Sequence, residues 1–220
     1  MATVGVVLAG CGVFDGSEIH EATSILIALD RRGAKVICMA PNIPQSGVVN
    51  HTTKQADSHS RSVFDESARI ARGNIKDIAK VTASELDALI FPGGFGAVKN
   101  LCNFAMAGND CTVIPQVKRL IEEMHAGKKP IGLACIAPIL AAKVLGQHKP
   151  QLTIGTDPGT AEAIHSMGGT HVNTDPTGIC TDERNRLVTT PCYMNEVGPW
   201  TVYQGAEKMV DEVLRMTRAK

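Results

Sequence analysis

Cys135 is the residue that its neighbours place best to act as a nucleophile. It follows the short apolar run Ile131–Ala134, and Pro138 comes three residues later. The apolar run predicts a buried strand, and the proline suits the first turn of a helix, where a backbone N–H is not needed. A thiol at such a corner faces the positive end of the helix, which lowers its pKa and favours the reactive thiolate. A small buried cysteine that packs under the helix fits the same residues.

Two glycines and one acid could complete a site around this thiol. Gly93 and Gly94 follow a second apolar run, Ala88–Phe91, so their N–H groups could hold an oxyanion at the end of a strand. A tight turn with positive φ explains the same glycines. Glu21 lies beside the apolar stripe of a predicted helix, where a carboxylate must find a partner or raise its pKa. On spacing alone, a solvated helix acid is the more common outcome.

The helix that carries Glu21 is predicted to begin after Ser17, because serine is a good N-cap. Its predicted buried stripe consists of Ile19, Ala22, Leu26 and Leu29. The neighbours of Glu21, namely Glu18 and His20, are expected to face the solvent or the preceding loop.

The elements that must position these residues follow a strand–helix–strand pattern. Residues 114–126 have the spacing of an amphipathic helix and lie between the two apolar runs. Such a crossover is nearly always right-handed and makes its strands parallel, so Gly93, Gly94 and Cys135 should meet at one edge of the sheet. The segment 189–193 ends at the same edge. No linker, repeat or low-complexity tract divides the chain, so residues 1–220 are predicted to form one α/β domain with a mostly parallel sheet.

The composition argues against several classes of function. The 22 Lys+Arg balance the 22 Asp+Glu, so nothing predicts attraction to nucleic acid or to an anionic membrane, and a near-neutral surface favours self-association. The seven Cys include no Cys-x-x-Cys pair, which in a chain of 220 residues favours free thiols in a reducing compartment. No apolar run reaches the length of a bilayer span.

Neither a nucleotide cofactor nor a metal is predicted. Gly10 and Gly12 follow the first strand, but the third glycine of a dinucleotide-binding loop comes one place late, at Gly16. The next strand is not followed by the acid that would hold a ribose. His51 and His59 do not have the spacing of a standard metal-ligand set.

Longer motifs resemble a known family. The segment 9–22 reads Ala-Gly-Cys-Gly-Val-Phe-Asp-Gly-Ser-Glu-Ile-His-Glu-Ala, and segments 68–73, 91–96, 135–138 and 188–191 fit the same pattern. Together they resemble the ElbB-like branch (enhancing lycopene biosynthesis, sigma cross-reacting protein) of the PfpI / Parkinson-associated deglycase group, in the class I glutamine amidotransferase-like superfamily. The resemblance covers essentially the whole chain. It implies a single flavodoxin-like domain, a three-layer sandwich with helices on both faces of the sheet, usually assembled as a homodimer.

The resemblance also implies the parts of an active site. Cys135 would be the nucleophile and Glu21 its carboxylate partner, with the N–H groups of Gly94 and Ile136 as an oxyanion hole and Gly93 as a further substrate-binding position. Some members of the group act on methylglyoxal or glyoxal without glutathione. The implied activity is therefore a glyoxalase that needs no cofactor or metal, with small dicarbonyl compounds as substrates and neither nucleic acid nor membrane as a partner.

One departure from the superfamily's pattern bears on the choice of reaction. Amidotransferases and many of its proteases carry a His after the strand that follows the nucleophile, whereas residues 154–157 here read Ile-Gly-Thr-Asp. A leaving amine needs an acid to protonate it, which weakens the glutaminase and peptidase interpretations, while an aldehyde has no leaving group. We therefore expect Cys135 and Glu21 to convert methylglyoxal to lactate, or glyoxal to glycolate, through an enediol.

Two alternatives remain from the sequence. One is a redox-sensing or chaperone-like protein without catalytic activity, in which Cys135 is the oxidisable group. The other is an amidotransferase subunit that works with a synthetase partner. The expected compartment is the cytoplasm, or the mitochondrial matrix if the chain is a processed eukaryotic form.

Overall fold

A seven-stranded sheet forms the centre of the molecule in a computed structural model that describes residues 1–218. The strands of the described chain are β1 Thr3–Val7, β2 Lys35–Ala40, β3 Val48–Asn50, β4 Gln55–Asp57, β5 Ile75–Asp77, β6 Ala88–Phe91, β7 Ile131–Ala134, β8 Gln151–Leu152, β9 Thr170–His171, β10 Cys180–Asp182 and β11 Leu187–Thr190. The large sheet has the order β10-β11-β7-β6-β1-β2-β5, while β3 pairs with β4 and β8 with β9 in two small sheets.

The large sheet is parallel except at one edge. Its strands pair in parallel from β11 through to β5, and β10 alone runs antiparallel, against β11. The predicted runs at β6 and β7 are confirmed in their bounds and in their direction. Residues on these strands are buried throughout, as expected for parallel strands covered on both faces.

Helices cover both faces of the sheet. They are α1 Ile19–Arg31, α2 Val63–Ile70, α3 Phe95–Lys99, α4 Phe104–Ala107, α5 Pro115–Ala126, α6 Pro138–Leu145, α7 Pro158–Ser166 and α8 Pro199–Arg218. One apolar core lies between the sheet and α5, α6 and α7, and a second lies between the sheet and α1, α2 and α8. Successive strand residues alternate between the two cores, since Leu133 faces the first and Ala134 the second. The predicted α/β, flavodoxin-like fold is confirmed.

Helix α1 begins later than predicted, because Ser17 has another partner. Its hydroxyl accepts a hydrogen bond from the N–H of Ala9 at 2.9 Å, and the N-cap is Glu18, whose Oε2 accepts from the N–H of Glu21 at 2.7 Å. The predicted inward position of Ile19 is wrong, since this side chain is 44% exposed. The face that packs on the sheet instead includes Glu21 and Ile25.

Over residues 1–218, every helix is too short or too polar to cross a bilayer.

Candidate active site

Cys135 occupies a sharp corner between β7 and α6. Its backbone has φ 58°, a left-handed conformation that typically costs about 1–3 kcal/mol for a residue with a side chain. The corner is held from both sides, because the N–H of Cys135 donates to the carbonyl of Thr190 at 2.9 Å and the N–H of Ala137 donates to the carbonyl of Ala134 at 2.9 Å. The cysteine is 8% exposed, and it lines a cavity.

Glu21 lies fully buried against this corner. Its Oε2 accepts the N–H of Gly93 at 2.9 Å, its Oε1 accepts the N–H of Tyr193 at 3.2 Å, and the carboxyl group is in hydrogen-bonding contact with the Cys135 thiol. A β-carbon at Gly93 would lie 2.6 Å from Glu21 Oε2 and 3.0 Å from Cys135 Sγ. The acid and the thiol therefore meet over a backbone position that has no room for a side chain.

Burial decides the charge of Glu21. Removal from water and the nearby carboxylate of Glu18 raise its pKa from 4.5 to about 8, although the N–H groups of Tyr193 and Gly93 oppose the shift. Near neutral pH the carboxyl group is therefore mostly protonated. In that form it carries an O–H that can donate to the sulfur of Cys135.

The expectation of a lowered pKa for Cys135 is wrong. Burial raises the pKa of this thiol well above its ordinary value, and the charge of Glu21 raises it further. The N–H groups of Gly94 and Ile136 donate to the sulfur and oppose this rise, but they do not outweigh the loss of hydration. Since ionised Glu21 repels the thiolate, the thiolate forms most easily when Glu21 holds the proton.

The predicted oxyanion-hole residues have separate roles in this geometry. Gly94 and Ile136 direct their N–H groups at Cys135 Sγ, so they also border the space where an oxygen on a bound carbon would lie. Gly93 differs from its prediction, because its N–H is already taken by Glu21 and is not free for a substrate. Gly93 positions the acid.

The site opens into a cavity of about 510 Å³, a volume typical of small-molecule sites. It is lined by Val13, Glu18, Gly94, Phe95, Val98, Phe104, Ala105, Cys135, Ile136, Asp157, Thr160, Tyr193 and Met194. Two of these side chains are carboxylates, and none of them is basic. The lining therefore suits a neutral electrophile better than an anion.

Relatives with the same architecture are known. The human protein "glutamine amidotransferase-like class 1 domain-containing protein 3, mitochondrial" is 47% identical over 226 residues, which cover 98% of this chain and 84% of the human protein. The zebrafish "ES1 protein, mitochondrial" is 36% identical over 231 residues, which cover 97% of this chain and 86% of the zebrafish protein. A crystal structure of an isoprenoid biosynthesis protein with an amidotransferase-like domain from Ehrlichia chaffeensis matches with a TM-score of 0.92 at 35% identity, over 98% of this chain and 99% of the other.

The chain belongs to the ElbB-like (ES1) family of class 1 glutamine amidotransferase-like proteins. No protein-family model matches it. The Drosophila DJ-1beta structure, at 19% identity and a TM-score of 0.57, shares the fold.

Residues 154–157, the stretch expected to carry a His in amidotransferases of the superfamily, end with Asp157 in this ElbB-like chain. Its Oδ1 caps helix α7 by accepting the N–H of Thr160 at 2.7 Å, and both residues line the cavity. The cavity lining within residues 1–218 includes no His. His171, which follows the neighbouring helix, accepts the N–H of Ile154 through Nε2 at 3.3 Å. In the same described part of the chain, no cluster of three or more His, Cys, Asp or Glu is placed to hold a metal ion.

Sequence reasoning missed three residues around the pair. Glu18 was expected to face solvent or loop, yet it is buried at the cavity beside Glu21. Tyr193 holds Glu21 through its N–H and His20 Nδ1 through its hydroxyl at 2.8 Å. Cys192 is fully buried, and the charges of Glu21 and Cys135 contribute to raising its pKa. The sequence signal that points to Tyr193 and Cys192 is their position just after strand β11, which ends at the edge of the sheet where Cys135 lies.

Proposed function

We propose that this ElbB-like chain is a glyoxalase that needs no glutathione and converts methylglyoxal to lactate, or glyoxal to glycolate. One observation carries the proposal. A buried acid contacts a thiol beneath two backbone N–H donors, and the cavity above them is small and has no basic side chain in its lining. This set can add a sulfur to an aldehyde and move a proton, which are the two operations that the reaction requires.

The first step forms a carbon–sulfur bond. When the pair has lost one proton, the remaining proton can lie on Glu21, and the Cys135 thiolate adds to the aldehyde carbon of methylglyoxal. The carbonyl electron pair moves onto oxygen, where the N–H groups of Gly94 and Ile136 stabilise it. Glu21 then donates its proton to that oxygen, which gives a neutral hemithioacetal and a carboxylate.

The second step moves hydrogen between neighbouring carbons. The Glu21 carboxylate takes the proton from C1, and the electrons form an enediolate with its charge on the C2 oxygen. Glu21 then returns the proton to C2, while the proton of the C1 hydroxyl passes to the C2 oxygen. The product is a thioester of lactate on Cys135. Water then attacks the thioester carbon, the carbon–sulfur bond breaks, and the thiol and lactate are released, so the net reaction is methylglyoxal plus water to lactic acid.

Substitution of the two central residues tests this proposal. Cys135→Ser should lower lactate formation from methylglyoxal by about three orders of magnitude or more, and Glu21→Gln by about 10²- to 10⁴-fold, because a proton shuttle contributes that much. Lactate is measured enzymatically, with circular dichroism to check the fold. Cys38→Ser is the matched control, since Cys38 is a buried thiol on β2 and does not line the cavity. Wild-type turnover in Cys135→Ser contradicts the proposal.

The same assay separates the alternatives. Ammonia release from glutamine, without lactate formation, would favour an amidotransferase subunit, although the cavity offers no imidazole to protonate a leaving amine. Neither product, together with oxidation of Cys135 by peroxide, would favour a redox-sensing role. Because the human and zebrafish relatives are mitochondrial proteins, we place the activity in the mitochondrial matrix for a eukaryotic form of the chain.

A further inference from the structure

Two cysteines outside the active site lie in contact with each other. Cys102 and Cys111 are both free and buried, and their thiols are within hydrogen-bonding contact. The backbone supports this approach, since Cys102 forms an antiparallel bridge with Val113 and the N–H of Ile114 donates to the carbonyl of Leu101 at 2.9 Å. The two sulfurs therefore meet at the base of a loop, residues 102–111.

This loop forms one wall of the cavity above Cys135. Its short helix α4 carries Phe104 and Ala105, and both line that cavity. Phe104 lies two residues after Cys102 in the chain, and its N–H lies near enough to the sulfur to favour a thiolate there. A change in the bonding of Cys102 is therefore transmitted to the wall within two residues.

The two thiols differ in their surroundings. Cys111 borders a separate surface cavity of about 450 Å³, which Lys143 also lines. Burial raises the pKa of the Cys111 thiol, and the charge of Lys143 opposes that rise. Lys143 is held nearby, because its Nζ donates to the carbonyl of Asn109 at 2.8 Å. Cys102 lies deeper and contacts the carbonyl of Ala97 at 3.5 Å. Cys111 is thus the thiol that a small oxidant reaches first, and Cys102 is its resolving partner.

We propose that Cys102 and Cys111 are a reversible dithiol–disulfide site, oxidised by hydrogen peroxide, that tethers the wall of the active-site cavity. The Cys111 thiolate attacks a peroxide oxygen, the O–O bond breaks, and hydroxide leaves, so Cys111 becomes a sulfenic acid. The sulfur of Cys102 then attacks the sulfur of Cys111, the S–O bond breaks, and water leaves with the thiol proton. Two thiols and one peroxide give one disulfide and two waters, and a dithiol reductant reverses the change.

The first experiment detects the bond itself. The full chain carrying Cys135→Ser, which removes the catalytic thiol, is treated with hydrogen peroxide and digested under non-reducing conditions. We expect a loss of two hydrogen masses and a linked peptide that contains Cys102 and Cys111, both reversed by dithiothreitol. Adding Cys102→Ser should abolish the linked peptide, while adding Cys180→Ser, another buried thiol, should not. Oxidation that gives no Cys102–Cys111 link, or the same loss of mass with Cys102→Ser, would overturn the proposal.

The second experiment measures the effect on the cavity. In the chain with Cys135 intact, the disulfide is formed, and the alkylation of Cys135 by iodoacetamide is followed by mass spectrometry in the molecules whose Cys135 is still a thiol. A tethered wall opens less, so we expect the rate of Cys135 alkylation to be severalfold lower in the disulfide form than in the reduced chain. The same peroxide treatment of Cys111→Ser should not lower that rate. An unchanged rate in the disulfide form contradicts the tether. Neither readout depends on lactate formation, so this inference can fail or stand separately from the proposed activity.

Discussion

At the scale of single residues, Cys135 and Glu21 behave as one titrating pair. Both are buried, Glu21 raises the pKa of Cys135 while the hydrogen bond with Cys135 lowers that of Glu21, and the backbone supplies four N–H donors around them. The left-handed conformation of Cys135 and the absence of a side chain at Gly93 are what allow this approach. The chemistry thus depends on how a proton is divided between oxygen and sulfur, a property that neither residue has alone.

The buried acid predicts a particular dependence of stability on pH. The pKa of Glu21 is raised from 4.5 to about 8 in the folded state. The stability that the protonated carboxyl group gives the fold is therefore fully present below pH 4.5 and is lost as the pH rises toward about 8. The free energy of unfolding of Glu21→Gln, minus that of the wild type, should therefore grow by about 1.4 kcal/mol per pH unit in this window.

Urea denaturation of both proteins across that window measures the difference. Glu122→Gln is the control, because Glu122 is an exposed acid on α5 whose ion pair with Lys118, at 3.8 Å, lies at the surface. A pH-independent difference for Glu21→Gln would show that the folded protein does not hold Glu21 in its protonated form.

A second prediction concerns Gly93. In Gly93→Ala the new carbon would lie 2.3 Å from Cys135 Cβ and 2.6 Å from Glu21 Oε2, so the thiol and the acid must separate. We expect lactate formation to fall by about 100-fold or more, since small misplacements of reacting groups have effects of this size. Gly159→Ala is the control, because a carbon at that position meets only Asp157 Oδ1, at 3.7 Å. Wild-type kinetics in Gly93→Ala would contradict the close contact.

At the scale of elements, the N-cap of helix α1 adds to the effect that burial has on the charge of the site. Glu18 caps the helix and raises the pKa of Glu21 by charge repulsion. The rate of lactate formation should rise with pH through the pKa of the pair, near the value of about 8 for Glu21, because the active pair has lost one proton. Glu18→Gln keeps a capping oxygen and removes the charge, so the midpoint of kcat/KM should move to lower pH.

The measurement that checks this is the pH profile of kcat/KM for lactate formation in the wild type, Glu18→Gln and Glu122→Gln. Glu122→Gln should retain the wild-type midpoint. A midpoint that is unchanged in Glu18→Gln, with the helix intact by circular dichroism, would remove Glu18 from the electrostatics of the site.

The elements also show how far the sequence could predict the site. Strands β6 and β7 were predicted residue by residue, because strands buried on both faces are continuous apolar runs. The start of α1 and the face that it buries were predicted wrongly. The Ser17 hydroxyl accepts a hydrogen bond from the N–H of Ala9, and capping preferences cannot reveal such a tertiary contact. The raised pKa of Cys135 likewise depends on burial by neighbouring elements, whereas the local sequence shows only the helix that follows it.

At the scale of the whole molecule, one surface has the composition of an interface. Trp200 is 68% exposed at the start of α8, where it stacks on Tyr203, and Ile27 of α1 lines the same shallow apolar groove. The zero net charge of the chain offers no general repulsion between copies. We propose that this surface contributes to the homodimer that the family resemblance implies.

Light scattering after gel filtration tests this assembly. Trp200→Asp should shift a dimeric wild type toward monomer, because a charge would be buried at the interface. Met106→Asp is the control, since Met106 is an exposed apolar residue of helix α4 and lies outside the groove. A wild type that is monomeric at all concentrations, or a dimer that Trp200→Asp leaves intact, would contradict the proposed surface.

The corner at Cys135 depends on a late part of the chain. The N–H of Cys135 is held by Thr190, and Glu21 is held by Tyr193, so residues 1–189 contain both reactive residues without two of their supports. On the ribosome, the thiol and the acid are made well before the strand and turn that fix them. A growing polypeptide should therefore bring the thiol and the acid together, with one proton between them, only after Tyr193 has been added.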